Sequence, residues 1–195
     1  MHAEEVIEKF KETGALLEGH FILSSGLHSP VYLQCAIALE ATAVAAEFGL
    51  SIADQFRSRE IETVASPAIG GIVIGFEVAR QLGVRFIWTE RDQGRMTLRR
   101  GFQVHEGERV LVVEDVITTG VSTRETIAAL TGAGAEVVAA ASIIDRSGGK
   151  ADVGVTRVSL ATLDVPAVDA SVCEMCRLGE PAIKPGSRKA EGTKQ

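Results

Sequence analysis

The sequence contains little of what stabilises secreted scaffolds or spans membranes. Only three cysteines occur in 195 residues, too few and too unevenly placed for a disulfide framework. No apolar run reaches the ~18 residues that cross a bilayer. The first residues also lack the basic start and apolar core of an export signal. We therefore expect a cytoplasmic protein without a membrane partner.

Positive charge is also scarce. The chain has 20 basic and 26 acidic residues, a formal net charge of −6, which argues against general binding of polyanions. Neither a basic face nor a DNA-binding helix pair is evident. We expect no nucleic-acid partner, so any phosphate chemistry must depend on a local cluster of residues.

Two of the cysteines, Cys173 and Cys176, have the spacing of a metal-binding pair, but no second pair follows. The only histidines are His2, His20, His28 and His105. Because a zinc site needs two more ligands, a structural or incidental role is favoured for the cysteines. A redox-sensitive pair or a metal held between subunits stays open as the alternative.

Short apolar runs alternate with helical patterns along most of the chain. Strands are predicted at 63–65, 84–88, 110–113 and 137–144, and helices at 3–17, 36–56, 71–81 and 123–130. This alternation predicts an α/β fold whose central, mainly parallel sheet is flanked by helices. The hydrophobic period vanishes between residues 90 and 101, which predicts a flexible basic loop.

The predicted organisation has three parts. A small N-terminal hood covers 1–36, with part of 160–185 as a possible addition, and includes a short strand at 31–35. The core covers 37–165. The small, polar, basic tail at 186–195 is expected to be disordered.

The most informative segment is 110–123, in which a buried strand leads into two carboxylates, a turn with hydroxyls and a glycine, and a helix. Ligands of open parallel sheets lie at the carboxyl ends of the strands, where Glu114 and Asp115 fall. The free N–H groups and positive dipole of the next helix attract an anion. The order therefore predicts a site for a phosphorylated sugar.

Other interpretations of this segment are weaker. No lysine follows the glycine, as a nucleotide-triphosphate loop requires, and no G-x-G-x-x-G motif of dinucleotide binders occurs. The structural alternative is that Ser122 and Glu125 form only a helix capping box while the acid pair merely ends a strand.

The segment resembles the phosphoribosyl-diphosphate signature of the type I phosphoribosyltransferases. The resemblance implies that Glu114 and Asp115 hold the ribose hydroxyls and that the backbone of 118–122 surrounds the 5′-phosphate. The donor-binding residues that it implies are Gly70, Arg91, Glu114, Asp115, Val116, Ile117, Thr118, Thr119, Gly120, Val121 and Ser122.

Four further segments, in the same order along the chain, resemble the orotate phosphoribosyltransferase family. They are 19–32, similar to a segment that closes over the pyrimidine; 66–71, similar to the pyrophosphate loop; 90–102, similar to the catalytic loop; and 143–149. The family fold is the α/β fold predicted above. The implied activity is transfer of a phosphoribosyl group to orotate.

The resemblance also assigns roles to individual residues. Glu114, Asp115, Arg91 and Arg95 would be catalytic, with the two arginines reaching the diphosphate of a neighbouring subunit in a homodimer. Orotate would contact Ser25, Tyr32, Thr118 and Arg146, although packing beneath the hood is an equal alternative for Tyr32. Mg²⁺ is the implied cofactor, held mainly by the substrate and without a direct protein ligand.

Two other functions remain open from the residues alone. The first is the same chemistry on another base, such as a purine or uracil. The second is a regulator without catalytic activity that keeps the fold as a phosphoribosyl-diphosphate sensor.

Overall fold

The computed structural model describes residues 1–23, 26–164 and 166–185. The chain forms two compact units, a larger one from Met1–Ala15 and Cys35–Asp164 and a smaller one from Leu16–Gln34 and the residues that follow Asp164. The hood predicted over 1–36 thus begins later, since residues 1–15 belong to the larger unit. The tail predicted to be disordered, 186–195, and Ser25 lie outside the described residues.

The smaller unit is a hairpin joined to a returning segment. Strands β1 (Leu16–Ile22) and β2 (His28–Leu33) are antiparallel. Residues 166–185 then make one bridge to each strand, Phe21 with Ile183 and His28 with Val168. A 3-10 turn (Ala170–Val172) and the short helix α6 (Glu174–Arg177) lie within that segment. The hairpin and the segment 166–185, which are far apart in the sequence, are thereby held together.

The larger unit contains a sheet of six strands. They are β3 (Thr63–Pro67), β4 (Arg85–Asp92), β5 (Arg95–Leu98), β6 (Arg109–Ile117), β7 (Glu136–Asp145) and β8 (Arg157–Thr162). Their order is β5-β4-β3-β6-β7-β8, and every neighbouring pair is parallel except β4 and β5. The predicted α/β fold with a mainly parallel sheet is confirmed.

Five helices belong to this unit: α1 (Ala3–Glu12), α2 (Cys35–Glu40), α3 (Thr42–Ala53), α4 (Gly71–Leu82) and α5 (Val121–Gly132). The single helix predicted over 36–56 is in fact two, because the backbone of Ala41 is extended. Helix α1 ends before residue 17 because Gly14 adopts φ +69° and redirects the chain. Phe10 of α1 is fully buried and stacks on Phe48 with ring centroids 5.9 Å apart.

The centre of the core is formed by β6 and β7. Residues 110–113 of β6 are fully buried, as are Ala140, Ile143 and Ile144 of β7. Such continuous burial is typical of parallel strands that are covered on both faces. β8 escaped prediction because an outer strand needs fewer apolar residues, and only Leu160 and Ala161 of β8 are buried.

The basic loop predicted at 90–101 is wrong in part, because β4 and β5 form a hairpin there. Arg91 pairs with Met96 and Asp92 with Arg95, around a two-residue turn. Both turn residues have positive φ, +46° at Gln93 and +84° at Gly94, as a hairpin of this length favours. Met96 is the only buried residue of β5, so charged neighbours obscured the alternation.

The strand order creates an opening at one edge of the sheet. The chain leaves β3 through α4 to reach β4 on one side, whereas β6 lies on the other side of β3. Ligands bind parallel sheets where the connections diverge in this way, beyond the carboxyl ends of the strands. The turn after β3 and the turn after β6 therefore face the same opening. Among the described residues, no helix is long and apolar enough to cross a membrane.

Candidate active site

The acid pair lies at the carboxyl end of β6, as predicted. Glu114 is only 6% exposed, and its Oε2 accepts a hydrogen bond of 3.0 Å from the Ser122 hydroxyl. Asp115 accepts a bond of 2.9 Å from the backbone N–H of Val116. Ser122 stands at the start of α5, so the hydroxyl ties the acid pair to the turn that follows it.

Burial makes it costly to keep both carboxylates charged. Loss of solvent raises the pKa of Glu114 well above its usual value, and the neighbouring charge of Asp115 raises it further. Burial also raises the pKa of Asp115. Hydroxyl donors or a cation would relieve this cost by interacting with the charged form. Strongly perturbed carboxylates at a sheet opening are typical of a functional site.

The glycine turn after β3 lies directly against the acid pair. A Cβ atom on Gly70 would come within 2.8 Å of Asp115 Oδ1, and one on Gly71 would come within 3.3 Å of Glu114 Oε1 and 2.9 Å of the Val113 carbonyl oxygen. Gly70 has an ordinary helical φ of −56°, so the requirement there is for space and not for an unusual backbone. The structure thus brings together two motifs that are remote in the sequence.

The turn at 118–120 leads into α5 without a side-chain cap. Gly120 occupies the N-cap position with φ +73°, and no side chain caps the helix. The capping-box alternative is therefore wrong, since Ser122 binds Glu114 and Glu125 pairs with Arg91. The first N–H groups of a helix have no partner inside it, and they favour an anion such as phosphate.

Sequence reasoning missed the role of Arg124 in shaping this turn. Its guanidinium donates a hydrogen bond of 3.1 Å to the Thr119 carbonyl and another to the Asp152 carbonyl. These bonds tie the turn after β6 to the backbone at Asp152. The only signal in the sequence was an arginine early in α5, which by itself indicates nothing.

Cys35 is a second residue that was missed. It is buried, and burial raises the pKa of its thiol well above the usual value; the charges of Asp115 and Glu114 add to this, whereas Arg146 opposes it. A neutral thiol next to two carboxylates is a poor nucleophile. Cys35 is therefore a buried, neutral side chain near the acid pair.

Arg146 lies at the end of β7, next to the end of β6. Its backbone N–H donates a bond of 2.8 Å to the Ile117 carbonyl. The preceding residue, Asp145, is almost fully buried and accepts bonds of 2.6 Å from the Ser147 hydroxyl and from Arg157. Arg146 is thus held at the same edge of the sheet as the acid pair, as predicted.

The other predicted residues are not brought to the acid pair by any described contact. Arg91 of the hairpin donates to the Gly94 carbonyl at 2.7 Å and forms an ion pair with Glu125. Arg95 is the first residue of β5. Tyr32 belongs to the smaller unit, where the centroid of its ring lies 5.8 Å from the ring centroid of Phe21. Thr118 is exposed in the turn after β6.

The fold and this site define a phosphoribosyltransferase. A family model that describes the phosphoribosyl transferase domain matches residues 39–171. Orotate phosphoribosyltransferase of Caldicellulosiruptor bescii is 50% identical over 97% of this chain and 100% of its own length. That of Thermotoga maritima is 51% identical over 95% of this chain and 97% of its own length.

A solved structure gives the same result. The crystal structure of orotate phosphoribosyltransferase from Aeropyrum pernix superimposes with a TM-score of 0.67 at 28% identity, covering 89% of this chain and 98% of the other. The chain belongs to the phosphoribosyltransferases and, within them, to the orotate phosphoribosyltransferase family.

Proposed function

We propose that the protein transfers the 5-phosphoribosyl group of 5-phosphoribosyl 1-diphosphate to orotate, giving orotidine 5′-phosphate and diphosphate in cytoplasmic pyrimidine (UMP) synthesis. The observation that carries the proposal is the pair formed by buried Glu114 and half-buried Asp115, with Ser122 on one side and the Gly70 turn on the other. The relatives named above supply the identity of the accepting base.

The chain's own residues supply the donor site. Glu114 and Asp115 accept hydrogen bonds from the ribose hydroxyls, which fixes the sugar ring and favours the charged carboxylates. As the bond to diphosphate stretches, positive charge develops at ribose C1, and the two carboxylates stabilise it electrostatically. Residues 118–122 bind the 5′-phosphate through backbone N–H groups and hydroxyls. The turn at Gly70 lets backbone amides approach the diphosphate.

The donor set also fits Mg²⁺ as a cofactor. Two carboxylates with raised pKa values at one opening supply hard oxygen atoms, which this ion prefers, and they gain from a nearby positive charge. When bound, the ion would neutralise charge on the departing diphosphate. Glu114 and Asp115 would hold it indirectly, through the ribose hydroxyls.

The accepting base is recognised by a residue at the end of β7, the strand next to β6. Arg146 presents a planar guanidinium that can make paired, charge-assisted hydrogen bonds to the carboxylate or an imide edge of orotate. Thr118 supplies a hydroxyl on the other side of the ring. Ser25 and Tyr32 complete the base contacts in this proposal.

In this proposal, the protein is a homodimer, and Arg91 and Arg95 act in the active site of the neighbouring subunit. Arg91 and Arg95 lie on either side of the hairpin turn, at the edge of the sheet that β5 forms. In the neighbouring subunit's site, their charge would stabilise the departing diphosphate and help to exclude water. For Arg91 this requires exchange of its ion pair with Glu125, which is partly exposed and therefore weak.

A direct assay tests the activity. Purified protein is mixed with phosphoribosyl diphosphate, Mg²⁺ and orotate, and loss of orotate absorbance is followed. We expect turnover with orotate and little with adenine, xanthine or uracil. Turnover of one of those bases without orotate turnover would overturn the base assignment. Binding of the donor with no turnover of any base would instead indicate the sensor.

A further inference from the structure

The smaller unit contains a cluster of metal-binding side chains. The side chains are those of His20 on β1, His28 at the start of β2, Cys173 just before α6 and Cys176 within α6. Their ligand atoms all lie within 4.8 Å of one another. The pair of cysteines that lacked partners in the sequence therefore acquires two histidines from a hairpin about 150 positions earlier.

The distances within the cluster fit a tetrahedral metal site. The Cys173 and Cys176 sulfurs lie 3.6 and 3.7 Å from His20 Nε2, and Cys176 Sγ lies 3.3 Å from His28 Nδ1. A tetrahedral zinc ion with its usual bond lengths separates sulfur and nitrogen ligands by about 3.5 Å. The two histidine nitrogens are closer, at 2.6 Å, and would move apart by less than an ångström to reach about 3.3 Å.

One histidine is already oriented as a ligand. His20 Nδ1 lies 2.9 Å from the Glu180 carbonyl oxygen, to which it can only donate a proton. The ring therefore carries its proton on Nδ1, which leaves the Nε2 lone pair directed into the cluster. Ligand histidines typically use their second nitrogen in this way, because the outer hydrogen bond fixes both tautomer and ring orientation.

Burial distinguishes this group from a chance surface cluster. His20 is 4% exposed, His28 7% and Cys173 0%, whereas Cys176 is partly exposed. Two sulfur and two imidazole ligands select zinc over magnesium or calcium, which prefer oxygen. Four protein ligands complete the coordination shell, so the site has no open position for substrate and its role is structural.

The architecture of the smaller unit explains what such an ion would do. A two-stranded hairpin is at best marginally stable alone, and small units usually need a disulfide or a metal. Here β1 and β2 contribute one ligand each and the segment around α6 contributes two. An ion at this point would join the hairpin to the returning segment, beside the backbone bridges at Phe21 and His28.

We infer that His20, His28, Cys173 and Cys176 bind one structural Zn²⁺ ion, a site separate from the proposed transferase chemistry. Binding converts the two thiols to thiolates and releases their protons. The ion stabilises the smaller unit by linking parts of the chain that meet only in the folded protein.

Metal content and spectroscopy of the full-length protein test the site. The protein is produced with zinc in the medium and purified under reducing conditions without chelator. We expect one zinc per chain by mass spectrometry. After exchange for Co²⁺, we expect the visible bands of tetrahedral cobalt together with a thiolate charge-transfer band. Removal of zinc by a chelator should lower Tm and expose the smaller unit to proteolysis.

Variants assign the ligands. Cys176→Ser, at a partly exposed position, and His28→Gln should each weaken cobalt binding by more than ~100-fold, beyond what loss of an outer-shell partner causes. Cys35→Ala, which removes the third cysteine, should keep one metal ion and the full spectrum. Circular dichroism establishes that each variant is folded.

Three results would overturn the inference. One is reduced wild-type protein that contains no zinc and gives no cobalt bands when either ion is supplied. Another is metal binding by Cys176→Ser and His28→Gln that equals that of Cys35→Ala. The third is a metal-free protein whose mass and thiol count reveal a Cys173–Cys176 disulfide.

Discussion

Gly70 lies so close to Asp115 that a single methyl group would meet the carboxylate, since a Cβ atom on Gly70 would stand 2.8 and 2.9 Å from its two oxygens. Gly70 directly precedes α4, whereas Asp115 lies near the carboxyl end of β6. The two residues meet because β3 and β6 are neighbours in the sheet. The contact joins the proposed diphosphate turn to the proposed ribose-binding acids.

Gly70→Ala is therefore expected to impair catalysis without unfolding the protein. The methyl group displaces the Asp115 carboxylate, and a misplacement of about 1 Å can cost on the order of 100-fold in rate. Steady-state kinetics with orotate would measure the loss in kcat/KM. The matched control is Gly132→Ala in α5, where a Cβ atom meets nothing within 4 Å. Equal activities of the two variants would contradict the importance of the contact.

Asp115→Asn should stabilise the ligand-free protein while it abolishes activity. Because burial raises the folded-state pKa of Asp115, the charged carboxylate costs stability at neutral pH, and this cost disappears as the pH falls through that pKa. The amide removes the charge at every pH. We expect Tm at neutral pH to rise by at least ~2 °C, the effect of about 1 kcal/mol in a domain of this size.

Asp115→Asn should also lower kcat by at least ~100-fold, because an uncharged amide no longer stabilises the positive charge that develops at ribose C1. Asp54→Asn, at an exposed position paired with Arg57, is the control and should change neither property appreciably. A lower Tm for Asp115→Asn would show that the carboxylate stabilises the ligand-free fold, contrary to our expectation.

Mixing two inactive variants tests whether the hairpin arginines are shared between subunits. Asp115→Asn and Arg91→Ala dimers, unfolded and refolded together, should recover up to about a quarter of wild-type activity, as random mixing leaves one intact site in half of the dimers. Arg57→Ala, which removes an exposed and similarly paired arginine, should remain active alone. If the mixture stays inactive although mixed dimers are detected, each subunit uses its own Arg91.

The ion pair between Asp145 and Arg157 should control both stability and orotate binding. Burial raises the pKa of Asp145, but hydrogen bonds from Ser147 and Arg157 outweigh this and lower it overall. Its contribution to stability is therefore fully present above the unfolded-state pKa of about 3.9 and is lost as the pH falls through the lower folded-state value.

Asp145→Asn should reduce the free energy of unfolding by about 3–5 kcal/mol, because Arg157 is left without its buried counter-charge. It should also raise KM for orotate more than KM for the donor, since Arg146 is the next residue. Urea titrations between about pH 3 and pH 7 should show the difference from wild type shrinking toward acid. Asp152→Asn, at an exposed position, is the control; a difference independent of pH would contradict the linkage.

Much of the larger unit could be predicted because its signals are local. The apolar run at 110–113, the two acids and the following turn are contiguous, and each indicates its own conformation without knowledge of the rest of the chain. The buried strands β3, β6 and β7 were found for that reason. The first part of β4 was also predicted, at 84–88, but its extension to Asp92 and strand β5 were not, since the one buried side chain of β5, Met96, leaves no hydrophobic period to detect.

Contacts between distant segments could not be predicted in the same way. Nothing near Cys35 in the sequence indicates that it lies near Asp115, and nothing near Cys173 and Cys176 indicates that His20 and His28 lie beside them. The capping-box alternative for Ser122 could be rejected only when its hydroxyl was found on Glu114. Each of these contacts depends on which strands are neighbours in the sheet and on how the segment 166–185 pairs with the β1–β2 hairpin.

By itself, the sequence determined the alternating α/β architecture, the acid pair near a strand end and the turn that leads from it into a helix, because hydrophobic period and turn chemistry act over neighbouring residues. Only the tertiary structure decided that Gly70 meets Asp115, that Cys35 lies near the acid pair and that two histidines meet two cysteines. The physical reason is that strand order and chain return bring together residues whose separation along the chain carries no information about their distance in space.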